Sequence, residues 1–215
     1  MLPISPVPSS APYEFRLANH DDAAALAALA RQTFIDTYAE QNDAEQIRAH
    51  CEKNFGVSQQ SKEIADPDYV VILAYHDEEL VGFAQVVNNP PPESIAADKA
   101  VALYRYYLKK EWHGKGIAQP LLAEAETAAK TFNANQLWLG MWEHNARALA
   151  YYKKVGFQHV GWMDYEFGGV IERDYVLLKN LWKQSVRSIA LFFSLVFKIC
   201  ENFRQKNVEI LVHWI

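Results

Sequence analysis

The sequence predicts a mixed β-sheet with helices packed on it, of α+β or α/β type. Two apolar, β-branched runs at 69–75 and 80–87, joined by the polar turn HDEE, read as a hairpin. A strand-like run at 101–108 stops at a glycine-containing turn and gives way to the helix-forming LLAEAETAAK. Further on, runs at 158–166 and 172–178 flank Gly168-Gly169, a second hairpin signal.

The remaining elements follow from their end signals. A first strand is expected at 14–17. Asn19 and the His-Asp-Asp after it offer an N-cap to an alanine-rich helix ending near Tyr38, and Asn42-Asp43 caps another that ends near Asn54. A third helix is expected at 58–65. The loop NNPPPESIAA at 88–97 cannot pair in a sheet. The helix after the glycine turn is expected at 116–132, with Pro120 tolerated in its first turn. A strand at 136–142 and a helix at 146–155 follow, with Gly156 where a C-cap glycine belongs. No 20-to-50-residue repeat is visible.

Composition narrows the function classes. The chain has 215 residues, 50% hydrophobic and 22% charged, which suffices for one domain with a full core. The net charge of −5 and the absence of a long basic run argue against nucleic acid as a partner. The two cysteines, Cys51 and Cys200, have no metal-ligand spacing and no disulfide framework. No metal is expected, and a reducing compartment, the cytoplasm, fits. The start, MLPISPVPSSAP (1–12), lacks the features of a signal peptide and reads as a loose arm. The main body is expected to span 13–181. The last segment, 182–215, carries five Lys/Arg against two Asp/Glu, a net of +3 that leaves −8 for the rest. Its uncharged stretch at 188–197 is ten residues long, short of the about 20 needed for a transmembrane span. This extension reads as an apolar helix that packs on protein, with a homodimer ahead of intramolecular docking.

The chemistry concentrates in the turn Glu111-Trp112-His113-Gly114-Lys115-Gly116-Ile117-Ala118. It joins a strand to a helix, where backbone N–H groups are free to hold an anion. It is neither a P-loop, since no Ser/Thr follows Gly-Lys, nor GxGxxG, since Gln119 stands at the third glycine. Taken alone, it is equally a plain tight turn.

The frame His113-x-x-Gly116-x-Ala118 resembles the acyl-CoA pyrophosphate loop of the GNAT N-acetyltransferases, Arg/Gln-x-x-Gly-x-Gly/Ala, with His113 replacing Arg or Gln. Downstream, Asn145, Ala148, Tyr152, Gly156 and Phe157 match the family's N-x-x-A-x-x-x-Y-x-x-x-G-F signature. Upstream, YVVILAYHDEELVGFAQV resembles the hairpin that precedes the cofactor strand. The resemblance runs from about Phe15 to Leu181, and LYRYYLKKEWHGKGIA with LWLGMWEHN looks most like the bacterial spermidine/spermine acetyltransferase branch.

The resemblance implies a mostly antiparallel mixed sheet with a splayed central strand pair, flanked by helices, and acetyl-CoA as co-substrate. The cofactor-binding positions it implies are Tyr106, Leu108, His113, Gly114, Lys115, Gly116, Ile117, Ala118, Asn145 and Lys154. Free backbone groups at Tyr106 and Leu108 would pair with pantetheine amides as an added strand would. Tyr152 stands at the general-acid position, although spacing alone favours a core tyrosine. Lys115 is either a phosphate contact or a solvated lysine, and Asn145 is also a natural N-cap. Toward the acceptor, Glu143 is a base, an amine anchor or a surface carboxylate. Tyr104 and Arg105 sit on alternating sides of the strand, so either could face the acceptor. Phe34 and Tyr38 share a helix face that is either core or an aromatic wall. His113 and His144 read as polar surface residues rather than bases. The expected reaction is transfer of an acetyl group to a small primary amine, a polyamine first, by direct attack in a ternary complex. The alternatives are a peptide or protein N-terminus as acceptor, a CoA-binding module without turnover, and a membrane- or partner-associated protein centred on its tail.

Overall fold

The computed structural model describes residues 13–167 and 169–182. The arm at 1–12, Gly168 and the extension from 183 onward lie outside the described residues, and with them the homodimer expected through that extension.

Strand β1 (Glu14–Leu17) leads into a 3-10 turn at His20–Asp22, where the Asn19 side chain accepts from the Asp21 N–H and the Asp22 carboxylate accepts from the Asn19 N–H. Helix α1 (Ala23–Tyr38) follows, then α2 (Ala44–Asn54), capped by Asp43, and α3 (Val57–Ala65). The hairpin β2 (Tyr69–His76) and β3 (Glu79–Val87) precedes β4 (Ala100–Leu108). A 3-10 turn at Lys110–Trp112, absent from the sequence reading, delays α4 to Ala118–Thr131. Then come β5 (Gln136–Trp142), α5 (Ala146–Lys154), β6 (Gln158–Phe167) and β7 (Val170–Asn180). Asn145 caps α5 by accepting from the Ala148 N–H, and Gly156 closes it at φ 98°, a left-handed conformation that costs glycine little.

The seven strands form one sheet in the order β1-β2-β3-β4-β5-β7-β6. Neighbours are antiparallel except β4 and β5. Strand alternation divides the core in two. Ile72, Ala74, Val86, Leu137 and Leu139 pack on the side of α4 and α5, where Leu121, Ala125 and Phe157 meet them. Val71, Leu73 and Phe83 pack on the other side, against Leu26, Ala30 and Phe34 of α1 and Cys51 of α2. The result is helix layers on both faces of the sheet.

The break in this regularity creates the site. β4 and β5 pair only over Ala100–Gln136, Val101–Leu137 and Ala102–Trp138, although both strands continue. Immediately beyond, β4 carries a bulge: Arg105 pairs with Gln85 and Leu103 with Val86, leaving Tyr104 without a partner on β3. An extra residue bends and over-twists its strand, which turns β4 away from β5. It also shifts the alternation by one residue. Val101 and Leu103 face α4, but beyond the bulge Tyr106 and Leu108 do so, while Tyr107 packs on the α1 side.

On the α1 side the bulge also buries Arg105, 7% exposed. Its guanidinium donates to Glu63 at 2.5 Å, to Gln85 Oε1 at 2.7 Å and to the Asn54 carbonyl at 3.3 Å. Gln85 in turn donates to Glu63 at 3.0 Å and to Gln60 at 3.3 Å. This network ties α3 to β3 and β4. Breaking a buried ion pair by removing one partner strands the other charge and costs about 3–5 kcal/mol. Glu63→Leu is therefore expected to lower stability by about that amount in urea unfolding, and Arg105→Met in the same chain to restore much of it.

Candidate active site

Between β4 and α4 the chain turns through Gly114 at φ 78° and Gly116 at φ 92°. These left-handed conformations carry steric strain in any residue with a Cβ. A Cβ added at either glycine would meet nothing within 4 Å, so the glycines serve the backbone path and leave open space in front of it. The Tyr13 hydroxyl fastens the turn by donating to the Lys115 carbonyl at 2.6 Å. The N–H groups of Gly114, Gly116, Ile117, Ala118 and Gln119 make no hydrogen bond to a described residue. Five free amides at the start of a fourteen-residue helix suit a phosphate or pyrophosphate. This donor set fits the CoA pyrophosphate.

From the turn, a cleft of about 530 Å³ runs into the gap between β4 and β5. Its walls come from both sides of the sheet: Thr37 and Tyr38 of α1, Tyr104 to Leu108 of β4, Met141 of β5, and Tyr151 and Tyr152 of α5. The Lys109 N–H bonds the Val81 carbonyl of β3, so the backbone groups of Leu108 and Tyr106, one and three residues earlier, point the opposite way, into the gap. The Leu108 carbonyl is met by His113 Nε2 at 3.0 Å. Burial foremost, with Arg147 nearby, lowers the His113 pKa, so the ring is neutral and Nε2–H donates. Nδ1 is then a buried acceptor with no partner among the described residues.

Tyr152 is buried against Phe157 and Tyr151, ring centroids 5.3 and 5.4 Å away. Its hydroxyl makes no hydrogen bond to a described residue, yet it is not sealed off, because the residue lines the cleft. Burial raises its pKa far above an ordinary tyrosine's, so it enters any reaction as the protonated phenol. The neighbouring Tyr151 is used differently. Its hydroxyl lies 3.1 Å from that of Tyr106, which donates to the Ala118 carbonyl and fastens β4 to the first turn of α4.

A second chamber of about 130 Å³ opens on the α1–α2 side and shares Tyr38, Tyr107, Gly140 and Trp142 with the main cleft. Its walls are aromatic: Phe34 stacks on His50 with centroids 4.3 Å apart, and Tyr165 and Phe167 close the far side. Two carboxylates, Glu172 and Asp174, line it. Asp174 is 8% exposed and makes no hydrogen bond or ion pair to a described residue. Burial foremost, then the charges of Glu172 and Glu143, push its pKa up to about 6. Burial likewise depresses the His50 pKa to about 4, so that ring is neutral.

Of the expected site residues, Tyr38, Tyr104, Tyr106, Leu108, His113, Gly114, Ala118, Asn145 and Tyr152 line the cleft together. Phe34 belongs to the second chamber and is also core. Ile117 is fully buried and contributes only its backbone. Lys115 is exposed, with its ammonium 4.5 Å from the Trp112 ring, and Lys154 is exposed on α5; neither lines the cleft. Glu143 also stays out of both cavities, because Arg173 holds its carboxylate at 2.9 Å. His113, read from sequence as a surface residue, is instead packed under the end of β4. Asp174, His50 and Tyr107 are missing from the sequence reading. One signal could have found Asp174: it falls in phase with the buried Val176, where a strand's inward positions are apolar.

Residues 24–157 match the model of the Acetyltransferase (GNAT) family. An uncharacterized N-acetyltransferase of Mycobacterium tuberculosis is 30% identical over 160 residues, 74% of this chain and 98% of that protein. The spermidine N(1)-acetyltransferase of Thermoplasma acidophilum is 29% identical over 149 residues, 67% of this chain and 88% of its own length. The crystal structure of the PaiA N-acetyltransferase from Thermoplasma acidophilum in complex with coenzyme A superposes with a TM-score of 0.63 at 24% identity, covering 78% of this chain and 98% of that one. The chain belongs to the GNAT family and is an N-acetyltransferase of that type.

Gly116→Glu places a carboxylate in the open space before the free amides and forces a side chain into a left-handed backbone. Calorimetry is expected to find CoA binding to the parent chain and none to the variant, with the thermal midpoint as the control for folding.

Proposed function

We propose that the protein transfers the acetyl group of acetyl-CoA to a small primary amine, a polyamine foremost, by direct attack in a ternary complex. The observation that carries the reading is one continuous cleft with the free amides of the glycine turn at one end and the Tyr152 hydroxyl in its wall. The turn holds the pyrophosphate, and the gap beside Tyr106 and Leu108 takes the pantetheine arm as an added strand. The thioester then reaches the level of Tyr152. An unprotonated amine attacks the thioester carbon, a C–N bond forms, and the C–S bond breaks with its electron pair on sulfur. Tyr152 gives its proton to that thiolate. Relatives named spermidine or spermine acetyltransferases support the choice of acceptor. The buried free thiol of Cys51 suits a reducing compartment, and we assign the protein to the cytoplasm.

The reading is tested by acetyl-CoA consumption with spermidine and with short peptides of neutral side chains. Spermidine is expected to show the higher kcat/KM; the reverse ranking moves the protein to peptide substrates. Tyr152→Phe keeps the ring contacts and removes the proton. Its kcat is expected to fall by about 10²- to 10⁴-fold with CoA affinity unchanged. An unchanged kcat in single-turnover chemistry would return Tyr152 to a packing role.

A further inference from the structure

The main cleft leaves the second chamber unexplained. Asp174 is mostly buried, has no hydrogen bond or ion pair to a described residue, and keeps its carboxylate oxygens open only to this chamber; a carboxylate so desolvated favours a cationic partner. Asp174 projects from β7 between Trp142 of β5 and Met163 of β6, its register partners. Its Oδ2 lies 3.6 Å from where a Cβ on Gly140 would sit, and Gly140 lines both cavities. The carboxylate therefore stands at the passage between them. Tyr38 lines both cavities, the one that holds Tyr152 and the one that holds Asp174. Around Asp174 the chamber is lined by the aromatic residues Phe34, Tyr165 and Phe167, a residue type that attracts cations. Glu172 stands two residues back on the same face of β7, about 6–7 Å along the strand. An anionic or apolar acceptor would leave both carboxylates uncompensated.

We propose that this chamber is the acceptor site for a short diamine or polyamine: the Asp174 carboxylate receives the ammonium group that will react and takes its proton, while Glu172 holds the next cationic nitrogen. The inference rests on the acetyl-CoA reading of the main cleft. The balance is complete. One proton passes from R–NH₃⁺ to the carboxylate, and the free electron pair forms the C–N bond. The thiolate leaves and is protonated by Tyr152, and the second proton on nitrogen passes to the Tyr152 phenolate as the amide forms; Asp174 then releases its proton to solvent. Asp174 is suited to the step because it is ionised near neutrality yet more basic than an exposed carboxylate, with a pKa of about 6. The groups that face it are Glu172 on its own strand, Glu143 at the end of β5, Tyr38 on α1, His50 on α2, Tyr107 and Arg105 on β4 and Tyr165 on β6. His50 is neutral and Arg105 is held by Glu63, so neither supplies the counter-charge. A cationic substrate does.

The test uses the full chain with acetyl-CoA and two acceptors, 1,4-diaminobutane and 1-aminobutane. The parent is expected to prefer the diamine by about tenfold or more in kcat/KM, the worth of one charge-assisted contact. Its kcat/KM should fall below pH about 6 as Asp174 becomes protonated. Asp174→Asn is expected to lower kcat by about 10²-fold or more with both amines and to remove that acid limb. Glu172→Gln is expected to raise KM for the diamine and to shrink its advantage to about threefold or less. CoA affinity, measured on the same preparations, reports folding and the donor site. The proposal is overturned if Asp174→Asn keeps the parent's kcat and acid limb, if Glu172→Gln keeps the diamine preference, or if a parent that binds CoA acetylates neither amine. Should Asp174→Asn not fold, a parent profile flat through pH 6 overturns it as well. A parent that binds no CoA fails earlier and overturns the acetyl-CoA reading itself.

Discussion

Three residue pairs into their contact, β4 and β5 cease to share hydrogen bonds, and the site depends on that divergence. Two parallel strands in the middle of a sheet would ordinarily stay paired, because unpaired backbone groups inside a protein are costly. Here the cost is incurred next to the bulge at Tyr104, which bends β4 out of line. The N–H and C=O groups of Tyr106 and Leu108 are left facing a gap. One of them, the Leu108 carbonyl, is covered by His113. The others suit a ligand that is itself extended and amide-bearing. The glycine turn stands at the mouth of the same gap, so the disruption of the sheet and the free amides of the turn open on one cleft.

The bulge has a second effect, on the opposite face. By shifting the alternation of β4 it sends Arg105 and Tyr107 toward α1–α3, where a regular strand would have sent Tyr104 and Tyr106 instead. Arg105 then anchors α3 through Glu63, and Tyr107 joins Tyr38 between the two cavities. The chamber beyond holds the unpaired Asp174. Positive charge is thus locked into structure at Arg105, and negative charge is left available at Asp174. The proposed amine acceptor site rests on that polarity.

Much of the fold was legible because its signals are local. Asp43 and Asn145 cap α2 and α5 with their own side chains. Gly114, Gly116 and Gly156 occupy left-handed conformations where the sequence put a turn and a helix end. The GNAT resemblance rests on the same turn and on Tyr152, which the structure sets in one cleft. What was not legible depends on partners distant in sequence. The bulge at Tyr104 arises from the register with β3, and no residue within β4 announces it. Glu143 looked as available as any carboxylate at a strand end until β7 brought Arg173 against it. Asp174 lies in a strand whose charged run, Glu172-Arg173-Asp174, reads as solvated until β5 and β6 enclose Asp174 from both sides.

The central claim is that the gap between β4 and β5, entered over the glycine turn, is where the acyl donor lies. Amide hydrogen exchange on the full chain with and without acetyl-CoA tests it most directly, since it reads the free N–H groups themselves. The account predicts slowed exchange at Gly114 and at 116–119, together with Tyr106 and Leu108 on β4, and little change in the edge hairpin β6–β7. Protection confined to other segments, or unchanged exchange at these amides with the ligand bound, would contradict it.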